Sequence, residues 1–298
     1  MKKSFGLVRY IPVTARFFRF VMPRLLDFTS YPLYKGKVAR LERERQLYIQ
    51  SINNGPIVNN FHKSILHQII PSHSNYSELK RVGAVRDGGY YIPIIEETGF
   101  PWITVGLGFN CFFENEISSL GFKVDTFDHT IPWAPSSLSK LVTWNKIGWG
   151  DKNQGRLATI DRIRQIAGHN LAEGWNLKFD IENAEWPLLS QLLQGENFRT
   201  LPSIITCELH ELLWKPGVEF KLQILSNLRD HYSPIYLHGN NFSALHASQD
   251  YLIYDALELT LIRNDLLEKL TPVNGASQEP AANDSSSPDF KIRLDGKE

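Results

Sequence analysis

The chain holds only two cysteines and two methionines among 298 residues, and it has no excess of either charge, with 32 basic against 32 acidic side chains. Two distant cysteines, Cys111 and Cys207, make no disulfide framework, and without a Cys-x-x-Cys pair they offer no thiolate zinc site. A reducing, cytoplasmic compartment is the default. Balanced charge argues against nucleic acid as an obligatory partner, because neutralising phosphates normally leaves a basic excess. No apolar run approaches the roughly 20 residues that a membrane span needs. Nor does the N-terminus read as a signal peptide, since arginines interrupt each apolar stretch and no small-residue cleavage site follows. What is there is an ordinary globular composition, 42% hydrophobic and 21% charged, on a chain long enough to bury a substantial core.

The two ends differ from the middle. Across the first thirty residues Lys2, Lys3, Arg9, Arg16, Arg19 and Arg24 face one acid, Asp27, with Phe17, Phe18, Phe20, Val21, Leu25 and Leu26 between them. This pattern fits a helix packed on the domain, or a basic amphipathic helix resting on the inner face of a membrane. Residues 36–70 read as helical, broken at Asn53-Asn54-Gly55-Pro56. At the other end, residues 271–288 are rich in Pro, Ser, Ala and Asn and cannot bury enough surface to offset their ordering entropy. The expected organisation is a helical extension over 1–79, a globular domain over 80–270 and a disordered tail over 271–298.

Between these ends, short apolar runs alternate with helical patterns. Residues 103–108, 122–128, 141–149, 176–182, 204–210, 234–239 and 256–263 read as strands. Helical spacing marks 112–120, 157–167, 186–195 and 220–230. Such alternation implies a three-layer α/β fold with a mostly parallel sheet. The last two strands have no convincing helix between them, and a parallel crossover usually needs one, so the final strand is expected to be antiparallel.

Gly106-Leu107-Gly108 follows the first of these strands and precedes a helix. Glycines there let the backbone turn tightly and approach a ligand at the helix N-terminus. The third glycine of a dinucleotide fingerprint is missing, with Cys111 in its place. Asp128 ends the next strand 20 positions after Gly108, where an acid can hold ribose hydroxyls or simply close a turn. Asp180 ends the strand LKFD, which would place it across the same crevice.

The segment LKFDIENAEWPLL, residues 177–189, is similar to the "LK-hydrophobic-DIEGAEW-x-x-L" stretch of the FkbM-type family of S-adenosylmethionine-dependent methyltransferases. In order along the chain, Arg86-Asp87-Gly88-Gly89-Tyr90 resembles its "DGGY/W" element, VGLGFNCFFENEI its glycine loop and helix, and VDTFDHT its "xxFDPT" strand end. Thr206-Cys207-Glu208-Leu209-His210, His238-Gly239-Asn240-Asn241 and ALELTLIRNDL resemble the later landmarks, so the likeness spans roughly residues 80–265. Asn183 stands where the family has glycine, and His129 where it has proline. The resemblance implies a Rossmann-like class I methyltransferase sheet of seven strands. It also implies a cofactor site for S-adenosylmethionine: Gly106 and Gly108 beside the methionine and ribose, Asp128 at the ribose, Asp87, Gly88 and Gly89 covering the cofactor, Asp151 at the adenine amine and Asp180 near the sulfonium.

Methyl transfer asks a protein to align the acceptor, exclude water and, for a hydroxyl acceptor, take its proton. Asp180, Glu182 and His210 are the candidate catalytic residues, with His238 as a further histidine at a strand end. His210 is preferred because Glu208 lies two residues before it on the same strand face. Each histidine could instead be a hydrogen-bonded structural group, and Glu185 a solvated helix start. No spacing assigns a metal motif, yet Asp180, Glu182, Glu208 and His210 are ligand types that could hold a divalent metal. A saccharide or other small hydroxyl compound is the expected acceptor. A nicotinamide oxidoreductase and a non-catalytic binding module on the same fold are the competing readings.

Overall fold

The computed structural model describes residues 59–73, 75–168, 174–182, 184–194, 200–212, 217–247, 251–273 and 291–294. The basic stretch over 1–30, the helical pattern over 36–58 and Asn183 lie outside them. In chain order the elements are α1 (Asn59–Ile69), the hairpin β1 (Leu79–Gly83) and β2 (Gly89–Pro93), β3 (Trp102–Val105), α2 (Phe112–Ser119), β4 (Val124–Phe127) and β5 (Val142–Asn145). There follow β6 (Gly148–Trp149), β7 (Leu157–Ala158), α3 (Ile160–Ala167), β8 (Asn176–Phe179), α4 (Glu185–Leu193), β9 (Ile204–Leu209) and α5 (Val218–His231). The last elements are β10 (Tyr232–Gly239), β11 (Leu245–Ala247), β12 (Tyr251–Tyr254), β13 (Leu257–Arg263) and β14 (Arg293–Leu294).

Seven strands form the central sheet in the order β10-β13-β9-β8-β3-β4-β5. β3, β4, β5, β8 and β9 run parallel. β13 pairs antiparallel with both β9 and β10, as expected of a last strand reached without a crossover helix. The strands β3, β4, β8 and β9 are buried along their whole length, as strands of a sheet covered on both faces are.

Strand alternation sends successive side chains to opposite faces. Ile103, Val105, Leu177, Phe179, Ile205 and Cys207 join the core beneath α3, α4 and α5. Trp102, Val124 and Ile204 face the other way, into a second core with Val82, Tyr90 and Ile92 of the hairpin and Phe113 and Ile117 of α2. Trp102 and Tyr90 each meet the Phe113 ring edge to face. On the helical side, α3 starts at Thr159, whose side chain accepts from the Arg162 amide, and ends at Gly168 in the left-handed conformation.

Several boundaries differ from the sequence reading. The run 141–149 is two strands, β5 and β6, that belong to different sheets. Of the expected extension over 1–79, the described part packs on the domain: Ile65, Leu66 and Ile69 of α1 lie in the same core as Trp175 and Leu225. The irregular connection after β10 holds β11 and β12, and β14 from the expected disordered tail pairs with β12. Thr271 and Val273 also bond back, to the Glu78 carboxylate and the Asn75 carbonyl. Among the described residues no helix is long and apolar enough to cross a membrane.

Candidate active site

The chain leaves β3 outward through β4 and β5, then returns to β8 on the other side of β3. Such a reversal opens a crevice beyond the carboxyl ends of the strands, where ligands of open α/β sheets bind. Gly106 and Gly108 line it from β3, with φ of 87° and 57°. A Cβ on Gly106 would stand 1.8 Å from the Asp180 carbonyl oxygen, so only glycine lets the β3 and β8 ends come together. A Cβ on Gly108 would meet nothing within 4 Å, leaving open space over that peptide.

Asp128 holds this loop. Its Oδ2 accepts from the amides of Leu107 (3.0 Å) and Gly108 (2.7 Å), and its Oδ1 from the amide and hydroxyl of Thr130 (2.7 and 2.6 Å). A carboxylate offers about four acceptor positions, and here four internal donors use them. Under the same loop, Lys178 Nζ donates to the Gly106 carbonyl at 3.0 Å. It also lies 3.9 Å from Glu114 of α2, a fully buried acid whose pKa burial raises from its ordinary value against the pull of Lys178. Above the loop, the Asn110 side chain donates to the Asp87 carbonyl, tying the β1–β2 turn, with Gly88 and Gly89, to the mouth of the crevice.

Across the crevice stands a cluster of acids around one histidine. His210, one residue past β9, bonds through Nδ1 to Glu185 Oε1 at 3.0 Å. Its Nε2 lies 3.8 Å from Glu182 and 3.7 Å from Glu208. One ligand atom each from Asp180, Glu182 and His210 lie within 4.8 Å of one another. Glu185 also accepts from the Ile181 amide, the Trp186 indole donates to the His210 carbonyl, and Asn240 donates to Glu208. Near the far edge His238 meets Glu258 at 3.3 Å. Glu182 and Glu211, each just past a strand, have φ of 51° and 60°, strained values for residues with side chains. Lys221 holds the second through the Glu211 carbonyl at 2.6 Å.

The electrostatics follow from crowding. Burial lifts Glu208 well above the carboxylate range; His210 opposes this, and Asp180, Asp87 and Glu258 add to it. Burial raises Glu182 to about 7 against the pull of His210, with Asp180, Glu185 and Asp87 reinforcing the rise. The Glu182 side chain keeps 60% of its surface, so water screens part of that penalty. Burial would lower His210, but Glu208, Glu185 and Glu182 outweigh it and hold the imidazole well above its ordinary value.

The structure therefore brings Asp87, Gly88, Gly89, Gly106, Gly108, Asp128, Asp180, Glu182 and His210 around one crevice. Asp151 sits on the exposed turn after β6, and among the described residues its side chain makes no hydrogen bond or ion pair. Glu185 is not a solvated helix start: it is fully buried and orients His210. Sequence reasoning missed it because an acid in a first helical turn normally faces water. It missed Asn110, Glu114 and Lys178 as well. Lys178 had one usable signal, a cation between Leu177 and Phe179 in a short strand read as buried. Compared with known proteins, the chain matches no family model and no curated protein.

Proposed function

We propose that the chain is an S-adenosylmethionine-dependent methyltransferase of the Rossmann-like class I type, acting on a hydroxyl of a saccharide or other small acceptor. One observation carries this reading: the sheet order β10-β13-β9-β8-β3-β4-β5, with antiparallel β13 inserted between β9 and β10 and a glycine loop at the switch point. A dinucleotide-binding sheet has six strands in the order 3-2-1-4-5-6 without that insertion. The missing third glycine at Cys111 points the same way.

The residues present fit the cofactor. The open space over Gly108 admits a ligand against bare backbone, and the acids across the crevice suit a cationic sulfur. Bound, S-adenosylmethionine supplies a methyl carbon on a positively charged sulfur that leaves as a thioether. The chain's part is positional. In this reading the β1–β2 turn, held by Asn110, covers the crevice and limits water, and Glu182, paired with His210, takes the proton of an acceptor hydroxyl. Asp128 fixes the loop that lies under the ligand.

The test is calorimetric titration with S-adenosylhomocysteine of the full chain and of Gly108→Asn. Asparagine tolerates the left-handed backbone and places its side chain in the open space. Wild type is expected to bind in the micromolar range, and the variant to lose at least roughly tenfold, about 1.4 kcal/mol, with its unfolding midpoint unchanged. A folded wild type that does not bind overturns the reading. Nicotinamide dinucleotides are then the next ligands to titrate, and binding of neither leaves a non-catalytic module.

A further inference from the structure

We infer that Lys178 is the positioning residue of the glycine loop, and that with Asp128 it clamps a single peptide unit, Gly106–Leu107, in the orientation a ligand meets. The bearing on S-adenosylmethionine rests on the methyltransferase reading; the clamp itself does not. Both ends of this one peptide are bonded to charged side chains. Its carbonyl accepts from Lys178 Nζ at 3.0 Å, and its amide donates to Asp128 Oδ2 at 3.0 Å. The negative end of the peptide dipole meets an ammonium and the positive end a carboxylate, and charge-assisted bonds of this kind are about twice as strong as neutral ones. The loop needs such a hold. The peptide before Gly106 is fixed by the sheet, because the Gly106 amide donates to the Phe127 carbonyl at 2.9 Å. The next peptide has left the ladder, and with a glycine at φ 87° on one side it can turn over unless side chains grip it.

Lys178 is placed for this task. Its side chain is 6% exposed, and a lysine so buried needs its charge matched. Glu114 of α2 balances that charge from 3.9 Å, beyond hydrogen-bond reach, while the bond itself goes to the loop. Nζ also lies 5.7 Å from the centre of the Tyr90 ring on β2. One side chain on β8 therefore meets the glycine loop, the helix after it and the β1–β2 hairpin. A buried ion pair seldom stabilises a fold more than apolar residues of the same volume do, so stability alone does not account for it.

The experiment is amide hydrogen exchange, followed by NMR, on the ligand-free full chain, with S-adenosylhomocysteine titrated in parallel. Wild type is compared with Lys178→Met and with Lys178→Met/Glu114→Gln, the second of which leaves no unpaired buried charge. In both variants the Leu107 amide is expected to exchange at least roughly tenfold faster, while the Asp180 amide, bonded to the Val105 carbonyl at 3.0 Å, keeps its rate. Affinity for S-adenosylhomocysteine is expected to fall at least roughly tenfold, with the unfolding midpoint of the double variant unchanged. A Leu107 amide that exchanges as in wild type overturns the clamp. So does a double variant that no longer folds, because Lys178 then supports the core rather than the loop. Faster exchange with unchanged affinity overturns its bearing on the ligand. A wild type that binds no S-adenosylhomocysteine, beside variants whose Leu107 amide responds, upholds the clamp and removes the methyltransferase reading.

Discussion

Asp128 is the residue whose meaning changes most between sequence and structure. As a ribose ligand it would matter only when the cofactor is present. As the acceptor of two loop amides and both donors of Thr130, it matters in the empty protein too. Asp128→Ala leaves the buried amide of Leu107 and its neighbour without their acceptor. A buried donor left without its acceptor costs about 1–3 kcal/mol, so the two amides together predict a loss of about 2–6 kcal/mol in urea unfolding without ligand. Unchanged stability of the variant would return Asp128 to the ribose role alone. Glu185 carries a similar lesson, since an exposed carboxylate and a buried one orienting His210 are written with the same letter. Glu208 and His210 were legible as a pair because strand alternation is a local rule.

Among the elements, α1 is fastened by two histidines. His62 Nδ1 shares a hydrogen bond with the Tyr251 hydroxyl of β12 at 2.9 Å, and the His62 and His246 rings stand 4.8 Å apart. His62 Nε2 and His246 Nδ1 have no hydrogen-bond partner among the described residues. Burial, with a smaller contribution from His246, lowers His62 to about 3, and burial lowers His246 as well. The unfolded chain binds a proton at His62 below about pH 6.5 and the folded one does not, so the unfolded state gains as pH falls. The contribution is therefore intact above pH 6.5 and is lost between 6.5 and about 3, at about 1.4 kcal/mol per pH unit well inside that window. Urea unfolding of wild type and His62→Gln between pH 7 and 5 checks this. The variant should show a shallower decline by about one proton, and equal slopes would remove His62 from the acid response.

At the scale of the whole molecule, α1, which the expected division assigns to the extension, shares its core with the sheet. Ile65, Leu66 and Ile69 are buried with residues of α4, α5 and β9. Losing even one such side chain costs about 2–5 kcal/mol, against a whole-domain stability of about 5–15 kcal/mol. A chain beginning at residue 80 is therefore expected to be unfolded or aggregated, by circular dichroism and size exclusion, under conditions where one beginning at Asn59 is folded. Equal folding of both would restore the boundary near residue 79. By itself the sequence determined the seven strands of the central sheet and the helices between them, the glycine turn after β3 and the antiparallel end of the sheet. Each follows from local period, backbone freedom or the length of a connection. Only the tertiary structure decided that α1 enters the core, that β14 pairs with β12 and that Glu185 is buried against His210. Those are contacts between segments far apart in the chain, set by which strand ends the sheet order brings side by side, and no local pattern encodes that order.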